Sequence, residues 1–233
     1  MKDFSNKYIM VFSVVMVVSV AILLSLTALL LQPKQEKNVE VEKKMNILSS
    51  MNVASEKTNA EELYKKYIIE SFAINTEGNV MKGVDAFNVV LSAEQKKPFA
   101  EQALPVFIAV TDQGDTLHIL PVQGKGLWGP IWGYVALKED METIAGVTFD
   151  HKGETPGLGA EINTTAFESQ FPGKRIYEKG SFVSVLVVKG GADKSDSHEV
   201  DAISGGTITS KGLEAMLHDC LVKYDKYFKE ERK

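Results

Sequence analysis

The stretch "DAISGGTITS", Asp201 to Ser210, sets two glycines among four hydroxyl side chains just before an amphipathic segment. Glycine relaxes the backbone, so such a loop can bend tightly or lie against something flat or bulky. Ser204, Thr207, Thr209 and Ser210 bring hydroxyls that can cap a helix or react with a substrate. A helix start also exposes unpaired N–H groups with positive dipole character, which suit a phosphate. A threonine there can hold phosphate by a hydrogen bond or carry it as a covalent ester. Simple capping by Ser or Thr is the less demanding use.

Two more glycine-rich stretches stand out. "GKGLWGPIWG", Gly124 to Gly133, places Trp128 and Trp132 among four glycines and Pro130. "HKGETPGLGAEI", His151 to Ile162, holds Pro156 between Thr155 and Gly157. Glycine lets the main chain approach a ligand, and indole or leucine offers apolar surface to a ring. A hairpin turn or a lid would explain either stretch equally well. His118, His151, His198 and His218 are scattered, with no second histidine at ligand spacing, so each reads as a packing or surface residue and no metal centre is expected. Neither G-x-S-x-G nor a reactive-cysteine signature occurs, and a hydrolase using Ser204 as nucleophile has no visible partner base. No catalytic residue is assigned on these grounds.

The elements that must carry these stretches follow from patterning. Tyr8 to Gln32 holds neither charge nor proline, and about 20 apolar residues cross a bilayer, so it reads as an uncleaved single-pass anchor. Lys2 and Lys7 precede it while Lys34, Lys37, Lys43 and Lys44 follow, so the charge count does not decide orientation. A charged stalk helix carrying Met45, Leu48 and Met51 and a short linker come next. The expected divisions are 1–34 for the anchor, 35–60 for stalk and linker, and 61–233 for a folded domain. Within that domain, "PVFIAVT" and "TLHILPV" flank a turn at Asp112 to Asp115, and "IWGYVALK" and "TIAGVTFD" flank Glu139-Asp140. With Ile68 to Ile74 and "SFVSVLVVKGG" these make six strand candidates. Short turns between consecutive strands favour a mainly antiparallel sheet, hence an α+β fold with helices packed on it. Leu213, Met216, Leu217, Cys220, Leu221 and Tyr224 share one face of a closing helix expected to lie on the sheet. The net charge of −5 carries no basic stripe, so nucleic acid is not an expected partner. Cys220, the single cysteine, can build neither a disulfide nor an iron–sulfur cluster within the chain and reads as a small buried residue.

Taken in order, the anchor, "GKGLWGPIWG", "GETPGLGAEI", "VVKGG" and "DAISGGT" resemble the NqrC family of the sodium-translocating NADH:quinone reductase, from anchor to last helix. In that family an Asp-x-x-Ser/Thr-Gly-Ala-Thr element carries FMN by a phosphoester on its threonine, made by a dedicated flavin transferase. Asp201, Ser204, Gly205 and Thr207 match in place, whereas Gly206 stands where alanine is usual. The resemblance therefore implies FMN covalently bound to Thr207, with Thr209 a secondary acceptor. It also implies that Thr155, Leu158 and Trp128 lie near the isoalloxazine. It further implies an electron-relay role within a sodium-pumping membrane complex of six subunits, with the soluble domain on the periplasmic side of the inner membrane. Two alternatives stay open at this point: the flavin protein of a ferredoxin:NAD oxidoreductase of the Rnf type, and a cofactor-free anchored binding module.

Overall fold

The computed structural model describes residues 5–232; Met1 to Phe4, with Lys2 of the charge count, and Lys233 lie outside that range. Helix α1 covers Asn6–Ser50 and contains Pro33. The chain divides into two compact units, Met1–Lys43 and Lys44–Lys233. In the first unit the apolar side chains of α1 stand uncovered, Leu24 being 66% and Leu30 77% exposed. Among the described residues α1 is the one helix long and apolar enough to cross a membrane, and bare apolar surface of this extent is stable only in an apolar surrounding.

The second unit takes in the last turns of α1. Helix α2 (Ala60–Tyr67) runs directly into strand β1 (Ile68–Ile74), where β-branched residues take over. A loop with the short helix α3 (Leu91–Glu94) leads to β2 (Leu104–Val110), β3 (Thr116–Lys125), β4 (Pro130–Lys138) and β5 (Ile144–His151). These strands form one sheet in the order β1-β2-β3-β4-β5, every pairing antiparallel. Both expected hairpins are present. In the first, Gly114 takes φ 90 and Thr111 N–H donates to Asp115 O at 2.9 Å, the left-handed step that glycine allows at no steric cost.

Strands covered on both faces read as nearly continuous apolar runs, and this sheet is covered on both. Register aligns Phe107 with Ile119 and Ile119 with Ala136; these side chains pack with Ile47 and Leu48 in the last turn of α1 and with Met51 just after it. The alternate residues Val106, Ile108, Leu120, Val122, Val135 and Leu137 point the other way, into the larger core, as the two-residue period of a strand requires.

After β5 come helix α4 (Thr165–Glu168), strands β6 (Tyr177–Glu178), β7 (Ser181–Phe182), β8 (Leu186–Val188) and β9 (Glu199–Asp201), and helices α5 (Thr207–Leu221) and α6 (Asp225–Glu231). One expectation fails here: "SFVSVLVVKGG" is not a sixth strand of the sheet. Ser184 takes φ 64, which breaks the run into β7, paired with β6, and β8, paired in parallel with β9. A left-handed residue cannot continue a strand. Helix α5 buries the expected face, with Leu213, Leu217 and Leu221 at 0% exposure. It lies so close to β3 that a Cβ on Gly124 would stand 2.6 Å from Met216 Cβ. That contact sets the start of α5 beside the turn between β3 and β4.

Candidate functional site

The first turn of α5 is built without a side-chain cap. Gly206 is the N-cap, with φ −98 and ψ 32, and no side chain bonds to the helix start there. The residue-based expectation of a Ser or Thr cap is therefore not met. The first helical bond runs from Ser210 N–H to Gly206 O at 2.9 Å, so the N–H groups of Thr207, Ile208 and Thr209 precede the helical ladder. A 15-residue helix thus opens on uncompensated donors and the positive end of its dipole.

The four hydroxyls of the opening stretch divide into two classes. Thr209 and Ser210 are each 1% exposed. Thr209 Oγ1 donates to Glu154 Oε2 at 2.6 Å, and Ser210 Oγ accepts from Ile203 N–H at 3.1 Å. Ser204 and Thr207 are exposed. Ser204 makes no hydrogen bond to a histidine or carboxylate among the described residues, so no base is in place to activate it as a nucleophile.

Around Thr207 the three glycine-rich stretches meet. Gly205 takes φ 75 and lies under Leu158, whose Cδ2 would be 2.5 Å from a Cβ at that position. The left-handed backbone favours glycine here, and a Cβ would also push the Leu158 side chain aside. Gly206, where alanine is usual in the resembling family, has an ordinary φ. An alanine Cβ there would stand 3.0 Å from Ile203 Cγ2 and 3.3 Å from Gly159 N, so glycine relieves a tight contact in this chain. Leu158 itself sits in the "GETPGLG" turn, held by its N–H to Thr155 O at 3.0 Å and by Gly157 N–H to Glu161 Oε1 at 2.8 Å.

Trp128 is tied to the same place through its backbone. Its N–H donates to Glu154 Oε1 at 2.8 Å, while its indole is 69% exposed. Leu127, Leu158 and Ile208 are exposed as well, at 46%, 41% and 60%. Exposed apolar side chains beside a donor-rich helix start make a surface that suits a flat ring carrying a phosphate. Asp201 stands apart from this surface in its bonding: Oδ1 accepts from Ala192 N–H at 2.6 Å, and its own N–H donates to Gln170 Oε1 at 2.8 Å. It fixes the end of β9, from which the loop departs.

Sequence reasoning does not single out Glu154. A lone carboxylate in a glycine-rich turn reads as solvated, yet it is 5% exposed and joins Trp128 to Thr209. The histidines divide between core and surface, His218 being exposed. His118 is 6% exposed, with Tyr227 Oη 2.8 Å from its Nδ1, and burial pushes its pKa down to about 4. His151 Nδ1 accepts from Glu154 N–H at 3.2 Å. Cys220 is buried, and burial pushes its thiol up.

Comparison with known proteins gives the family. Residues 126–222 match the FMN-binding domain family, a span that contains two of the stretches whole and the "GKGLWGPIWG" stretch from Gly126 onward. The NqrC protein of the Na(+)-translocating NADH-quinone reductase of Vibrio anguillarum is 33% identical over 68% of this chain and 68% of its own length. The chain belongs to the NqrC family. The NqrC of Pseudomonas aeruginosa is 40% identical over 57% of this chain and 53% of its own length. Among solved structures, the NqrC of Parabacteroides distasonis superposes with a TM-score of 0.79 at 42% identity, covering 85% of this chain and 96% of that one. Shewanella oneidensis NqrC superposes with a TM-score of 0.72 at 27% identity, covering 83% and 97%. The NqrC fold, an α+β domain with an antiparallel five-stranded sheet, is thus the fold of this chain, and Thr207 lies within the span that matches the FMN-binding domain.

Proposed function

We propose that Thr207 carries FMN as a phosphoester and that the chain relays electrons within a sodium-pumping NADH:quinone reductase. The observation that carries this reading is the exposed Thr207 hydroxyl on an uncapped helix start, beside Leu158, in the stretch that matches the attachment element. The residues fit the group: the N–H groups of Thr207 to Thr209, which precede the helical ladder, would donate to a phosphate, and exposed Leu158, Ile208 and Trp128 would give apolar surface to the ring.

A flavin transferase would supply the bond from a flavin-nucleotide anhydride. The anhydride P–O bond would break, the bond from the flavin phosphorus to the Thr207 oxygen would form, and the hydroxyl proton would leave with the displaced nucleoside monophosphate. The flavin supplies one- and two-electron chemistry when bound; the chain's own work is to fix its position and leave its edge accessible. The partners on this reading are the other members of a complex of six subunits. On the same reading the domain lies on the periplasmic side of the inner membrane, where a lost flavin could not be replaced from a nucleotide pool. The reading is tested by coexpressing the full chain with a flavin transferase and denaturing it in acid. Flavin absorbance that stays with the precipitated chain supports the ester, and absorbance that stays in the supernatant refutes it.

A further inference from the structure

Glu154 is a buried carboxylate that the flavin chemistry does not use, and its surroundings show what it does. It lies in the turn after β5. Oε1 accepts from Trp128 N–H of the β3–β4 turn at 2.8 Å, and Oε2 accepts from the Thr209 hydroxyl in the first turn of α5 at 2.6 Å. One side chain therefore joins the three glycine-rich segments. The cradle around it is cut to its size. A Cβ on Gly126 would stand 2.5 Å from Oε1, and one on Gly159 would stand 2.5 Å from both Oε2 and Thr209 Oγ1. Burying a carboxylate is costly unless donors satisfy it, and here two donors from two different segments do so. The β4–β5 ladder and the bond from Lys152 N–H to Pro130 O at 3.1 Å already align the first two segments, and the two Glu154 bonds tie both of them by hydrogen bonds to the first turn of α5.

We propose that Glu154 is the positioning residue of the flavin site, holding Trp128 and the α5 start in register, and that its bond to Thr209 confines attachment to Thr207. This rests on the flavin reading above. The Thr209 hydroxyl is buried and its proton is engaged by Oε2, so it cannot reach a transferase. Thr207, two residues earlier on the same turn, is exposed.

The test uses the full chain in detergent, coexpressed with a flavin transferase, as wild type, Glu154→Ala, Glu154→Gln, Thr209→Val and Thr207→Ala. Intact mass gives the adduct fraction, peptide mapping gives its position, and flavin fluorescence anisotropy reads how firmly the ring is held. A glutamine can accept from Trp128 N–H and donate to the Thr209 oxygen, so Glu154→Gln should keep wild-type adduct and anisotropy. Glu154→Ala should lower the adduct fraction about 30-fold, the worth of roughly two lost hydrogen bonds, or leave a mobile ring of low anisotropy. Thr209→Val removes one of the two bonds at nearly constant volume, and should lower anisotropy even if Glu154→Ala fails to fold. Thr207→Ala should carry no flavin. Wild-type adduct and anisotropy in both Glu154→Ala and Thr209→Val would overturn the positioning role, as would a Glu154→Gln chain that folds normally but loses the flavin. Flavin mapped to Thr209 in Thr207→Ala would overturn the confinement. Absence of adduct from the wild type would be failure of the flavin reading itself, and so is told apart from both.

Discussion

Alanine normally stabilises a helix by about 1 kcal/mol relative to glycine, and Gly212, inside α5, is expected to reverse that sign. A Cβ at Gly212 would stand 2.3 Å from the Lys125 carbonyl oxygen and 3.5 Å from Gly126 Cα. The carbonyl belongs to β3, whose Leu117, Ile119 and Leu120 are buried in the sheet, so it cannot rotate aside as a side chain would. Restoring ordinary contact requires α5 to lift by about 1 Å. Leu213 and Leu217, fully buried where α5 packs on the sheet, would lose packing as the helix rose. Overpacking of this kind costs about 1–3 kcal/mol. Set against the propensity gain, Gly212→Ala should be destabilised by up to about 2 kcal/mol. Gly153→Ala is the control, because nothing lies within 4 Å of a Cβ there and its φ is not left-handed. It should be neutral or stabilised by about 0.5 kcal/mol. Urea unfolding of the full chain in detergent, followed by the fluorescence of Trp128 and Trp132, gives both values. The refuting result would be a Gly212→Ala chain as stable as Gly153→Ala, which would mean that α5 does not press on β3 as described.

The buried His118 gives a pH dependence. Its pKa is depressed to about 4 by burial, with Glu139 opposing, so its stabilising effect is complete above the ordinary value near 6.5. It is lost as pH falls towards 4, by up to about 3 kcal/mol; His118→Gln should flatten that slope in unfolding measured between the two values. Trp128→Ala should alter stability by less than about 0.5 kcal/mol, because the indole is mostly exposed. In the loaded chain it should raise flavin emission by removing a quenching ring, and unchanged emission would take Trp128 out of the flavin's surroundings. Cys220, buried with Sγ 3.3 Å from Gln123 O, should resist alkylation until denaturant opens the fold; fast labelling of the native chain would contradict its burial.

What the sequence discloses follows from where local chemistry and tertiary structure agree. The turns at Asp112 to Asp115 and at Glu139-Asp140 carry their own signals, so four strands are legible as two hairpins. The buried face of α5 is legible because its period is that of a helix. "SFVSVLVVKGG" misleads because its composition is that of a strand, while the left-handed Ser184 that breaks it leaves no mark in the pattern. The three glycine-rich stretches are visible singly. Their convergence depends on Glu154, whose burial arises from segments far apart in the chain: Trp128 lies 26 residues away and Thr209 lies 55. No local pattern encodes that, although a carboxylate flanked by glycines that its own oxygens exclude from substitution is a signal worth seeking. The uncapped start of α5 is likewise a property of the folded loop, where hydroxyls that suit capping are turned outward or inward instead.

The central claim, that Thr207 bears the flavin, is tested most directly by intact-mass analysis of the full chain coexpressed with a flavin transferase, as wild type, Thr207→Ser and Thr207→Ala. The account predicts a gain of one FMN less one water in the wild type, the same gain in Thr207→Ser, where a hydroxyl remains, and none in Thr207→Ala. An adduct that persists in Thr207→Ala, or a wild type with no adduct at all, would contradict it.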